Sequence, residues 1–278
     1  VAQQLFAREA HLVIGTTDVT GLDFEFQVRR TLKPEPNVAT IKVYNLSAAT
    51  RKSLEASVPG NKDAAPIPVK LEAGYVGAVS QIYYGDVRDC QTIIEGPEVI
   101  TTLNTGDKET ALRTQRCQVP LGPGTTPAAA LQAIATALGV GFGTLANAQA
   151  GLSSKGLATL GRLRLSGYAS TLLTDFCNSA QLEWSVQNGV LQILDRGKAL
   201  EGTAVYLSSN TGLIESPARD SKGIVSATTL MIPDIRPGTR VQFDAKYLGG
   251  FFRIVEVETM GDTLGKEWYH RIKCDVPK

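Results

Sequence analysis

The sequence predicts a mainly β protein with a small α+β module in its middle, and three observations predict it. Strand-like alternation recurs towards both ends: Phe24, Phe26 and Val28 oppose Glu25, Gln27 and Arg29, and Val241 and Phe243 oppose Arg240, Gln242 and Asp244. Glycine, proline and asparagine punctuate these runs at short intervals, as turns between antiparallel strands require. Helical spacing with a core-facing stripe recurs only in the middle, at Leu131, Ile134, Ala135 and Leu138 and again at Leu172, Leu173, Phe176 and Ala180. The expected domains are 1–115, 116–200 and 201–278, with antiparallel β domains on either side of the module.

In chain order, 11–17 (HLVIGTT), 22–30 (LDFEFQVRR) and 39–46 (ATIKVYNL) read as strands of a sheet with one wet face. Ser47 is a good N-cap for a short helix over 47–56, and the prolines and glycine of 58–68 make a loop. Strands are expected at 69–75, 81–87, 91–95 and 98–104. The module opens with a strand at 116–121. Thr126 then caps a helix whose first-turn Pro127 lacks only an N–H that has no helical partner, and Gly139 stops it.

The glycine-rich stretch 139–156 has neither GxGxxG nor Walker spacing and follows a helix instead of opening one, so it reads as a loop without a phosphate cradle. A strand at 162–165, broken at Ser166-Gly167, leads into the second helix, on which Phe176 reads as core. The runs 183–187 and 190–194 form a hairpin around Asn188-Gly189, a dipeptide suited to positive φ, and Trp184 reads as core as well. Beyond Gly202, strands are expected at 204–208, 224–232, 239–245, 251–259 and 267–274.

Composition narrows the function classes. The 278 residues and 43% apolar content suffice for two or three cores, and 28 basic against 27 acidic residues give no field that would draw the chain to nucleic acid or an anionic membrane. Val1–Ala10 lacks the basic start and apolar run of a signal peptide, and no stretch approaches the ~20 apolar residues of a membrane span, so a cytoplasmic folding environment is expected. Cys90, Cys117, Cys177 and Cys274 stand singly and read as reduced, mostly buried thiols. His11 and His270 carry no metal or triad signature, and an exposed or capping role is expected for each. No catalytic residue, metal ligand or cofactor site is expected.

The ordered phrases IKVYNLS (41–47), LEAGY (71–75), IYYGDV (82–87), SGYASTLLTDF with WSVQNGVLQIL, LIESP (213–217), IPDIRPG (232–238) and FFRIVEVETMGDTLGKEWYHRIKC resemble the baseplate hub proteins of contractile-tailed bacteriophages, near the late control protein D family and the amino-terminal half of type VI secretion spike proteins. The resemblance implies two tail-tube-like antiparallel β-barrel domains flanking the α+β module. It also implies a homotrimer whose six barrels surround a channel that DNA passes without specific binding. Implied partners are the tail tube protein, the central spike protein, other baseplate proteins and the tape measure protein. The implied location is the virion baseplate, assembled in the host cytoplasm.

Tube-like barrels of that family use a short helix and an extended hairpin between subunits. The helix after Ser47 matches, which makes Tyr44, Leu46, Arg51 and Leu54 candidate interface residues. The alternative is that Leu46 and Leu54 only pack the helix onto its own barrel. Two rival functions stand beside the hub. A peptidoglycan hydrolase would need paired carboxylates, for which Asp86, Asp89, Glu95 and Glu98 are the only loose group. A receptor- or glycan-binding tail-tip protein would need an exposed aromatic platform, for which Tyr83, Tyr84, Tyr247, Phe251 and Phe252 are available. Adjacent strand residues point to opposite faces, so one of each pair is expected in the core.

Overall fold

A computed structural model describes residues 7–57, 66–143 and 163–277. The first β region comprises β1 (Arg8–Ile14), β2 (Thr17–Asp18), β3 (Phe24–Thr31), β4 (Val38–Tyr44), β5 (Pro68–Tyr75), β6 (Ala78–Glu95) and β7 (Glu98–Gly106), with α1 (Ala48–Ser57) between β4 and β5. A short α2 (Glu109–Thr114) leads to β8 (Arg116–Leu121), α3 (Pro127–Leu138), β9 (Gly141–Phe142), β10 (Leu163–Tyr168), α4 (Ala169–Ser179), β11 (Leu182–Gln187) and β12 (Val190–Asp195). The last β region holds β13 (Val205–Ser208), β14 (Ala218–Arg219), β15 (Val225–Leu230), β16 (Arg240–Ala245), β17 (Leu248–Asp262) and β18 (Trp268–Asp275).

Local signals account for many of these elements. Phe24, Phe26 and Val28 bury one face of β3 while Gln27 and Arg29 stay exposed. The Ser47 hydroxyl accepts the Thr50 amide at 3.1 Å and caps α1, and Thr126 accepts the Ala129 amide at 3.2 Å and caps α3. Gly139 ends α3 at φ 64°, and Asn188 and Gly189 turn the β11–β12 hairpin at φ 54° and 76°. Trp184 is core, its indole N–H donating to Thr174 at 3.2 Å. On α4 the buried line is Ala169, Leu173, Cys177 and Ala180, so Leu172 and Phe176 flank the core stripe instead of leading it.

The two β regions share one thirteen-stranded sheet, in the order β14-β15-β18-β17-β3-β4-β7-β6-β5-β1-β2, with β16 on β17 and β13 on β16. Strand pairing among the described residues closes no barrel. The reason lies in β17: its first half pairs with β16 through Arg253 and its second half pairs with β3 from Glu256 onward, with a bulge between Ile254 and Glu256. One long strand thereby leaves the last β region and enters the first. Trp268 of β18 continues the join, donating to the Gly74 carbonyl at 3.1 Å and meeting Phe26 edge-on at 5.7 Å.

Several expectations change. Strands expected at 81–87 and 91–95 are one eighteen-residue β6, in which a bulge between Val87 and Asp89 absorbs the irregularity. The break expected at Ser166-Gly167 is absent, because Gln118 and Cys117 of β8 pair with both residues. Helix α2 has a left-handed cap at Lys108 and no side-chain cap, so it lacks a start signal. His270 is neither exposed nor capping: it is 1% exposed, and its Nδ1 lies 2.8 Å from the Thr259 hydroxyl. The four thiols are free, and Cys90 alone is only partly buried. The loop expected at 58–68 lies outside the described residues up to 65, and the one at 139–156 beyond 143.

Candidate assembly surfaces

Polar contacts hold the α+β module to both β regions. On one side, Asp107, in the bend between β7 and α2, is 1% exposed and accepts the Gly189 amide of the β11–β12 turn at 3.0 and 3.2 Å. Asn37 donates to the Val186 carbonyl at 2.6 Å, and Gln187 donates to the Thr31 carbonyl at 2.7 Å. Burial pushes the Asp107 carboxyl up to about 6, against the downward pull of the Gly189 and Asn188 amides.

On the other side, the buried Arg253 of β17 donates to Asp275 at 2.9 and 2.6 Å, to Glu183 of β11, and to the Lys198 carbonyl at 3.2 Å. Burial raises the Glu183 carboxyl, and Arg253 moderates that rise. Gln192 of β12 reaches the Pro237 carbonyl at 3.2 Å.

The outer face of the shared sheet is wet and charge-matched. Glu256 takes Lys273 at 2.7 Å and Arg29 at 2.9 Å, Gln27 donates to Glu258 at 2.6 Å, and Lys42 pairs with Glu25 at 3.2 Å. Burial pushes the Glu256 carboxyl up, but its bonds to Lys273 and Arg29 together hold it below its ordinary value. A groove of about 260 Å³ crosses this face, lined in part by Glu256, Glu258, Arg271 and Lys273. Its walls carry both signs of charge.

The candidate interface residues fall in two kinds of place. Leu46 and Leu54 are 3% and 2% exposed and belong to the core of the first β region, where they fix α1 to its own sheet. Tyr44 is partly buried and its hydroxyl donates to Glu25, which raises its ionisation well above the ordinary phenol value. Arg51 is partly exposed on α1. The spacing alone could not separate a helix packed on its own sheet from one packed on a neighbour.

The residues of the rival readings are dispersed or split. Asp86 and Glu95 lie nine positions apart on one strand, about 30 Å at the usual rise, while Glu95 and Glu98 are exposed register partners at the end of the β6–β7 hairpin, so the acidic group is spread along β6 and does not gather in one place. Among the described residues no group of three His, Cys, Asp or Glu could hold a metal. Tyr83 and Phe252 are core while Phe251 is exposed, as alternation requires, and Tyr247 is 81% exposed. Sequence reasoning did not single out Ile93 and Ile94, which lie exposed near the β6–β7 turn, or Tyr206, which is exposed on β13. For the first two, the adjacent Ile93-Ile94 pair just before the Glu95-Gly96-Pro97 turn was the available signal.

A mainly β chain that joins two sheet regions and docks a small module has a fold shared with phage tail proteins of known structure. Its fold matches the 43 kDa tail protein of prophage MuSo2 from Shewanella oneidensis at a TM-score of 0.66 and 11% identity, covering 98% of this chain and 99% of that one. It also matches the tail protein from Neisseria meningitidis MC58, at 0.64 and 10% identity over 97% and 96%. A third match is an E. coli component of the type VI secretion system, at 0.61 and 10% identity over 96% and 76%. No curated protein matches the chain in sequence. Residues 13–247 match the family described as baseplate hub gp41, and the chain belongs to that family. It is a structural protein of the phage tail baseplate. Among the described residues no helix is long and apolar enough to cross a membrane.

Proposed function

We propose that the protein is a non-enzymatic hub, in which three copies close into a pseudo-sixfold ring around a channel for DNA. Residues 1–115 and 201–278 form the two tube-like β units of each chain, and 116–200 is the bracing module outside the ring. Such a ring meets a hexameric tail tube on one side and a threefold central spike on the other. Other baseplate proteins and the tape measure protein are its further neighbours, met as the virion assembles in the host cytoplasm. Tyr44 and Arg51 serve the subunit contact, with Leu46 and Leu54 anchoring the helix that carries Arg51.

The observation that carries this reading is the pairing of β3 with β17. A hydrogen-bonded sheet holds the two β units at one fixed angle, and a ring of fixed subunit number needs such an angle. The charge-matched wet face, where Arg29 and Lys273 pair with Glu256 and Lys42 pairs with Glu25, supports passage of DNA without specific binding. Electron microscopy of the concentrated protein tests the proposal: threefold rings with six lobes are expected, and twofold particles would overturn it. A glycan-binding tail tip is the second reading, favoured by the exposure of Tyr247 and Phe251. Binding on a glycan array would support it.

A further inference from the structure

The β11–β12 hairpin has two unlike faces. Trp184 pairs with Ile193 and Val186 with Leu191, and these four side chains lie in the module's own core together with Leu182. Alternation puts Glu183, Ser185 and Gln187 of β11 and Val190, Gln192 and Leu194 of β12 on the other face. Ser185, Gln192 and Leu194 are buried there, Glu183 and Gln187 are partly buried, and Leu194 is the one buried apolar side chain among the six. This polar face meets the β regions: Gln187 donates to the Thr31 carbonyl, Gln192 donates to the Pro237 carbonyl, and Glu183 accepts from Arg253.

The joint between the two β regions is built differently. The apolar core of the first β region takes in Met231 and Trp268, so the two regions share a core as well as the β3–β17 ladder. Among the described residues, the module's core runs from Leu112 to Ile193 and takes in no residue of that joined sheet. Bodies that never separate can bury apolar surface between them, whereas surfaces that also meet water must stay polar. Both passages between module and sheet hold residues at positive φ. The chain enters the module past Lys108, at φ 53°, and leaves it through 196–203, where Gly197 and Gly202 stand at φ 85° and 138°.

We propose that the module is a hinged body that undocks from the joined sheet as one unit, with its own core and the sheet both intact. The ties from Gly189 to Asp107, Gln187 to Thr31, Glu183 to Arg253 and Leu200 to Gly238 then form and break together. Undocking exposes side chains that water solvates and one leucine, so a few hydrogen bonds and an ion pair set its cost in place of a core. The open form is a minor population in equilibrium with the docked one. The joined sheet is the fixed frame and the module is the part that changes position, without altering the angle between the two β units. This inference concerns a single chain and does not depend on the ring reading.

Amide hydrogen exchange of the full chain, over urea concentrations below the unfolding transition, tests it. Two amides report the dock from opposite sides: Gly189, bonded to Asp107, and Leu200, bonded to the Gly238 carbonyl at 2.8 Å. Ile134 of α3 reports the module core and Val28 of β3 the joined sheet. In the wild type, Gly189 and Leu200 should exchange roughly tenfold or more faster than Ile134 and Val28, with one shared urea slope that is shallower than theirs. Asp107→Ala with Gln187→Ala removes ties on the first side alone, and it should speed exchange at Leu200, on the other side, by roughly tenfold or more. Leu200 exchange unchanged in that variant would mean that the two sides open separately, and the proposal would fall. Ile134 exchanging in step with Gly189 and Leu200 in the wild type would also overturn it, because the module would then unfold instead of undocking. Should the double variant fail to fold, the wild-type series alone decides between these outcomes.

Discussion

Both carboxylate oxygens of Asp107 face the amide of Gly189, at 3.0 and 3.2 Å, across the junction between the first β region and the turn of the β11–β12 hairpin. This contact joins residues 82 positions apart and makes an Asn-Gly turn, ordinarily a surface feature, part of a buried joint. Asp107→Ala should therefore lower unfolding stability by about 1–3 kcal/mol at neutral pH, the usual result of leaving buried amides without an acceptor. Urea titration checks it, and a loss below ~0.5 kcal/mol would count against the joint.

Asp107 and His270 should have opposite pH signatures. The Asp107 carboxyl is raised from 3.8 to about 6, so the folded state holds its proton more tightly and stability falls as pH rises through that window. Burial, with Arg30 nearby, pushes the His270 imidazole down from 6.5 to about 3, so the unfolded state takes the proton first and stability falls as pH drops below 6.5. Each contributes up to about 1.4 kcal/mol per pH unit, and the two oppose each other between roughly pH 4 and 6. Relative to wild type, Asp107→Asn should make stability fall more steeply as pH drops from 6 to 4. His270→Gln should make it fall less steeply or reverse the trend. Urea midpoints at half-unit steps read the slopes.

Gly261 of β17 is required by its neighbour on β3. A Cβ at this position would stand 2.1 Å from the Phe26 ring, which lies over the glycine. Gly261→Ala should lower stability by about 1–3 kcal/mol, as overpacking of a filled core does, and Phe26→Leu in the same chain should recover part of that loss. A double-mutant cycle by chemical denaturation measures the recovery, and strict additivity would contradict the contact.

Arg253 serves two carboxylates on different elements, Glu183 of the module and Asp275 of β18. Arg253→Ala leaves both acids without their cation. The expected loss is about 3 kcal/mol, the lower end for a broken buried pair because both acids keep some solvent contact. Limited proteolysis should then cut first within the module. Cleavage unchanged from wild type would show that the module does not depend on this tie.

Much of the local architecture could be read in the sequence because local interactions write it. Thr126 with Pro127, Gly139, Asn188-Gly189 and the alternation around Phe26 act within a few residues of themselves. The β3–β17 join could not be read, because Val28 pairs with Thr259 and no local pattern encodes a partner so distant. The continuity of β6 was hidden by its bulge, and the burial of His270 follows from neighbours on other strands. Leu46 and Leu54 have the same apolar spacing whether they face their own sheet or a neighbour's. The separate ties made by Asp107 and by Arg253 on the two sides of the module gave no motif, since each residue is ordinary until the fold brings its partners.

The central claim is a closed ring of three chains, and the absolute mass in solution, measured by light scattering from dilute to concentrated protein, tests it most directly. The account predicts a plateau at three times the 29.7 kDa chain mass, with no populated dimer below it. A stable dimer at the plateau, or a monomer throughout, would contradict it.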